Sequence, residues 1–445
     1  MALDTPKQLR NQMIYSVFVR NYSPEGNFEG VRKDLDRIRK LGRDIIWLMP
    51  VHPCGKLHRK GSLGSPYAIQ DYRKINPEYG TMDDFIRLTD EIHAKGMKCI
   101  IDVVYNHTSP DSWLAQHHPE WFWHREDGSF GNKIGDWWDV IDLDYTSEGL
   151  WDYQIETLKF WAQYVDGFRC DVAPLVPVEF WKRARKEVAE VHPGCVWLAE
   201  SVEPRFTALC RAHGMNCASD AELYQAFDIC YDYDIYDWFS GALTGENSLS
   251  DYAEQVNRQE TMYPANYVKL RCLENHDRLR AAFLISDEKA LRSWTAYCGF
   301  MKGTFMIYAG EEKAARHKPT LFDRDTVDLQ AEDRPDLSDL ISRIASIRRD
   351  PVFTDSSFCV SVKNGRVLEA VHTENPAVPG GCPGARLAGI FPTDGRPSVI
   401  RTEKEIPDGV YENMLNGRKV EVDAGVMALD GDPVILRIPA GTQPG

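Results

Sequence analysis

What the chain lacks narrows it first. No apolar run in its 445 residues approaches the ~20 needed to span a bilayer; "IIWLMPV" at 45–51 is strand-length, so no membrane partner is expected. The opening stretch "MALDTPKQLRNQ" has no apolar core of the kind a secretory signal needs, and a cytoplasmic location is the expectation. Basic charge is in deficit, 52 Lys and Arg against 67 Asp and Glu for a net −15, which removes the footprint that nucleic-acid binding requires. The dense basic cluster "GKLHRKG" at 55–61 reads as a solvated loop, with a reach toward substrate or phosphate as the alternative. Paired cysteines are also missing. The 11 cysteines are odd in number and none forms C-x-x-C, while Cys99, Cys170, Cys195 and Cys272 sit inside apolar runs. Reduced thiols acting as small hydrophobes are expected, and no structural zinc.

What is present is alternation. Apolar, β-branched runs take turns with helix-period stretches from about residue 14 to 350: "MIYSVFV", "DIIWLMPV", "KCIIDVVY", "DGFRCDV", "CVWLAES", "AFDICYDYD", "YVKLRCLENHD" and "GTFMIYAGEE". Eight strands with crossovers between them call for a parallel sheet, and over this length for a closed (β/α)8 barrel of the TIM type; a doubly wound open sheet is the alternative. Two segments break the rhythm. A long loop follows the third strand, and loops of that size in compact domains usually serve function. From about 350 onward helix periodicity stops, and short strand-like runs split by Pro and Gly predict a small β-sandwich.

Barrel enzymes carry reactive side chains at the C-terminal ends of their strands. Those ends hold Asp102, Asn106 and His107 after the third run, Arg169 and Asp171 at the fourth, Glu200 at the fifth, and His276 and Asp277 at the seventh. Arg169 and Asp171 are two apart on an extended strand and so share a face. Burying both is costly unless they pair, and the arginine would hold the aspartate as an anion. Glu200 follows Val196, Trp197, Leu198 and Ala199, apolar neighbours that favour its protonated form. One ionised and one protonated carboxyl suit retaining cleavage of a glycosidic bond, with Asp277 as a third carboxylate gripping hydroxyls and stabilising positive charge.

The same residues carry a resemblance. "DVVYNH" (102–107), "GFRCD" (167–171), "LAES" (198–201), "ENHDRLR" (274–280) and "GTFMIYAGEE" (303–312) are similar, in order, to signatures of the α-amylase superfamily, glycoside hydrolase family 13. The resemblance covers about residues 14–440. It implies a catalytic barrel at 1–106 and 148–350, a short inserted domain B at 107–147 and a C-terminal β-domain at 351–445. By position it implies Asp171 as nucleophile, Glu200 as acid/base and Asp277 as transition-state stabiliser. Arg169 resembles the residue that orients the nucleophile, His107 and His276 those that hydrogen-bond the reacting sugar, and Tyr67 in "GSPYAIQDY" the aromatic platform beneath it. Trp137 and Trp138 would stack on further sugars or pack the loop.

Departures from the family pattern shape the expectations. Pro174 and Leu175 stand where α-amylases usually have Lys-His, and Ile141 in "VIDLD" stands where proline is common. Asn106 resembles a calcium ligand, but one amide falls short of the six to eight oxygens calcium takes; no metal or cofactor is expected to be required. The expected activity is hydrolysis of α-1,4-glucans or maltooligosaccharides. The alternatives are a 4-α-glucanotransferase or sugar phosphorylase using the same intermediate, and an inactive sugar-binding or scaffold relative.

Overall fold

The computed structural model describes residues 2, 4–134, 137–375, 384–402 and 406–440. Parts of the expected terminal spans, and Gly135 and Asp136 of the expected insertion, lie outside them. Eight strands, Met13–Val17, Ile45–Leu48, Lys98–Val103, Gly167–Cys170, Val196–Ala199, Ile229–Tyr231, Val268–Arg271 and Thr304–Tyr308, close in chain order into one parallel barrel. Nearly every strand residue is buried, as expected where helices cover the outside and side chains fill the inside. Each strand is shorter than the apolar run that announced it. Met49, Val51, Val104 and Tyr105 are buried too, but as packed loop.

Helices return the chain between strands. Met82–Ala94 shows why one starts where it does: Thr81 Oγ1 accepts from Asp84 N while Asp84 Oδ2 accepts from Thr81 N, a reciprocal cap. The stretch 30–42, which reads as one amphipathic helix, is two pieces, Phe28–Arg32 and Leu35–Lys40. A helix that the alternation does not single out, Pro204–Ala212, follows the fifth strand.

The loop after the third strand forms a small excursion. His107–Thr108 pairs antiparallel with Ile141–Asp142, so the excursion leaves and re-enters the barrel rim at one point. Beyond residue 350, two four-stranded antiparallel sheets make the C-terminal domain. Ser356–Lys363 lies at the edge of one sheet, and Asn257 of helix Leu249–Met262 covers it. The Asn257 amide donates to Val360 O and accepts from Val360 N, both at 2.8 Å, standing in for a neighbouring strand. His372 is buried in the same seam among Phe300, Phe353 and Phe358, with Ser356 Oγ and Phe300 O each 2.8 Å from its ring nitrogens.

Candidate active site

Closure of the barrel sets the first contact. Asp102 of the third strand lies in register with Arg169 of the fourth, so both side chains enter the barrel at the same level. Gly167 lets the fourth strand lie close to the fifth: a Cβ there would run into the Val196 carbonyl. Arg169 Nη1 donates to both Asp102 oxygens at 2.9 and 3.0 Å, and to Asp171 Oδ1 at 2.9 Å. Its Nη2 lies 2.7 Å from Glu200 Oε1, an ion pair at an angle too bent for a hydrogen bond. Nε donates to Tyr231 Oη, and the guanidinium carbon sits 5.0 Å from the Trp47 ring centre. One arginine, fully buried, thus faces three carboxylates. This contact explains why Arg169 and Asp171 share a strand face.

One positive charge against three negative ones in a dry place cannot leave all three ionised. Burial pushes Glu200 well above the usual carboxylate range; Arg169 pulls it down, and Asp171 and Asp277 push it up. Burial likewise lifts Asp102 to about 7, with Arg169 opposing. Asp277 goes the other way. Burial raises it, but the charges of His276, Arg169, Lys318 and Arg278 together outweigh that and hold it below its ordinary value. His276 is lowered to about 4, first by burial, so its charge acts on Asp277 only in acid. At neutral pH it is a neutral imidazole, and Arg169, Lys318 and Arg278 supply the pull.

The backbone also contributes. Val172, directly after Asp171, has φ 33° and ψ 47°, a left-handed conformation costly for a β-branched residue. That turn aims its N–H at Glu200 Oε2, 2.8 Å away. The fourth strand therefore presents a carboxylate with one residue and holds the opposing carboxyl with the next.

Around these lies a cleft of about 340 Å3, lined among others by Tyr67, His107, Asp171, Glu200, His276 and Asp277. Every site residue expected from the sequence is thus brought together, Arg169 from just beneath. His107 Nε2 is 3.8 Å from Asp171 Oδ2, and His276 Nε2 is 3.1 Å from Asp277 Oδ2. Tyr67 Oη bonds His276 Nε2 at 2.8 Å and Asp102 Oδ2 at 3.1 Å, and its ring stacks on His276 at 5.4 Å. Trp137 lines the cleft 5.2 Å from His107, while Trp138 stands exposed at the rim.

Sequence reasoning missed several participants. Trp47 and Tyr231 read as plain strand apolar residues, and nothing local signals their contact with Arg169. Lys60, assigned to a solvated loop, is only 23% exposed in its side chain and lines the cleft. A second hollow, about 440 Å3 around Arg185, His192 and Trp197 at the strands' opposite ends, holds none of these carboxylates. Among the described residues no group of three or more His, Cys, Asp or Glu is placed to hold a metal, and the Asn106 amide nitrogen lies 3.2 Å from His107 Nδ1. Among them, too, no helix is long and apolar enough to cross a membrane.

A closed parallel barrel with carboxylates at the strand ends and antiparallel sheets behind defines a class of barrel enzyme. The chain belongs to the α-amylase family: the model of the α-amylase catalytic domain matches residues 9–127 and 110–354, and that of the bacterial α-amylase C-terminal domain matches 383–436. It is similar to the crystal structure of an α-amylase from Lactobacillus plantarum, 46% identical with a TM-score of 0.91, covering 97% of this chain and 100% of that one. A noncanonic maltogenic α-amylase from Thermotoga neapolitana is 31% identical, TM-score 0.84, over 97% and 99% of the two chains. The α-1,4-glucan:maltose-1-phosphate maltosyltransferase of Rhodospirillum rubrum is 26% identical over 89% of this chain. The chain spans 60% of the length of that curated relative.

Proposed function

We propose that the protein cleaves α-1,4-glucans or maltooligosaccharides with retention, through a covalent glycosyl-enzyme intermediate. The supporting observation is Arg169 bridging Asp171 and Glu200 at the rim of one cleft, with Glu200 pushed toward its protonated form. In the first step an Asp171 oxygen bonds the anomeric carbon as the glycosidic C–O bond breaks, and Glu200 gives its proton to the departing oxygen. In the second, Glu200 takes a proton from water, whose oxygen bonds the anomeric carbon and frees Asp171. Asp277 faces the positive charge that develops on the sugar in the transition state of each step. His107, His276 and Tyr67 fix the reacting sugar, and no metal is needed.

A second reading differs only in the acceptor. The maltosyltransferase relatives favour delivery of the glycosyl unit to another sugar, and the choice between water and sugar rests on barrier differences of about 1–3 kcal/mol. Product analysis on maltotriose separates the two: shorter sugars alone mean hydrolysis, and longer ones mean transfer. Proton NMR of the first product tests the mechanism. The α-anomer is expected, and a β-anomer released first rules out the double displacement.

A further inference from the structure

Lys60 and Asp139 approach the cleft from two different segments, the loop after the second barrel strand and the excursion after the third. Lys60 Nζ lies 2.7 Å from Asp139 Oδ1, and the Asp139 side chain is only 5% exposed. An exposed ion pair is worth little, but a buried carboxylate with its cation removed is expensive, so this pair is a built contact. The same ammonium sits 5.3 Å from the Trp138 ring centre and 5.8 Å from that of Phe322. Its loop is clipped down on the other side as well. Ser62 N and Oγ donate to Asp323 Oδ1 at 2.7 and 2.5 Å, and Leu63 N donates to Phe322 O at 3.0 Å. Arg20 Nη1 ties Gly64 O to Leu321 O, each at 2.9 Å. A continuous barrier therefore runs from the loop after the eighth strand, through Lys60, to the excursion.

Barrel order says which part of a substrate meets that barrier. Strands eight, one, two and three are consecutive around the ring, and the fifth strand, carrying Glu200, lies on the far side. Glu200 protonates the departing oxygen, so the leaving portion of a glucan lies toward the fifth strand. The portion retained on Asp171, which carries the non-reducing end, runs the other way. Resting on the proposed function, we propose that the Lys60–Asp139 pair is the end wall of the donor side, making the protein act from non-reducing chain ends and release short products of one length. The Lys60 ammonium, ion-paired with Asp139 at 2.7 Å, has three N–H groups with which to reach hydroxyls of the terminal sugar.

The test compares maltoheptaose with the same sugar capped by a cyclic acetal across O4 and O6 of its non-reducing unit, followed as loss of starting material. The wild-type protein is expected to consume the free sugar at least about tenfold faster, a discrimination within reach of one blocked pocket contact. Lys60→Ala with Asp139→Asn, which leaves no buried charge unpaired, should bring the two rates to within about threefold and give products of mixed length. Lys60→Met serves as the second variant. Equal wild-type rates on the two sugars overturn the wall, as does a full preference retained in a folded variant. No consumption of either sugar overturns the glucan-cleaving function instead, and the wall with it.

Discussion

Arg169 is where single residues decide the chemistry. Its two terminal nitrogens sit against Asp171 and Glu200, and a lysine cannot span that fork. Arg169→Met should lower stability by about 3–5 kcal/mol in urea unfolding, since it strands buried Asp102 without its cation. Asp171→Asn keeps the shape but removes the carboxylate proposed to attack; turnover should fall at least about 10⁴-fold with unfolding midpoint little changed, and near-normal turnover would refute the proposed role. Glu200 must carry its proton to act as an acid. Its raised pKa places the loss of its acid role on the basic side of the pH profile, as pH climbs through the folded value. Glu200→Gln should therefore lose that basic limb from the pH profile of kcat/KM along with most of the rate. At this scale the sequence was highly legible, because uncompensated charge at the end of an apolar run is costly and so stands out. What escaped was anything set by closure. Asp102 meets Arg169 through strand register across distant segments, the left-handed turn at Val172 leaves no compositional mark, and Lys60 looks like any basic loop residue.

Elements were legible in proportion to how much apolar surface they bury. Helix Met82–Ala94 buries Phe85, Leu88, Thr89 and Ile92 at helical spacing and was plain in the sequence. Pro204–Ala212 buries only Cys210 and leaves Leu209 56% exposed, so no stripe announces it. The strand ends were overdrawn for the opposite reason, since buried loop residues beyond them are as apolar as the strands. The seam between helix Leu249–Met262 and strand Ser356–Lys363 yields two predictions. Asn257→Ala removes two hydrogen bonds to Val360 and should cost about 1–3 kcal/mol by denaturant titration. His372 is lowered to about 3 by burial, against 6.5 for the free side chain. Between those values the unfolded chain takes up a proton that the folded one refuses, so stability is full above pH 6.5 and falls as pH drops toward 3. His372→Gln should flatten part of that slope in thermal melts recorded across the interval.

For the whole molecule, alternation alone gave the barrel, the interruption gave the excursion, and the loss of helix period gave the C-terminal sheets. Each is a statement about which faces must be covered, and coverage is what hydrophobic patterning encodes. Metal dependence belongs at this scale too. On the expectation that no metal is required, prolonged EDTA treatment should leave both melting temperature and rate unchanged, and a clear drop in either would show a bound ion.

The side-chain amide laid along Val360 carries one more consequence. It blocks the place where a foreign strand would dock, and beneath it Phe300 and Tyr297 of the barrel pack against Phe391 of the second domain. A chain cut at residue 350 would bare that aromatic patch to water, and overproducing it should give inclusion bodies rather than a smaller working enzyme. The two parts are joined like a plug and socket, and neither has an outer skin where the other sits.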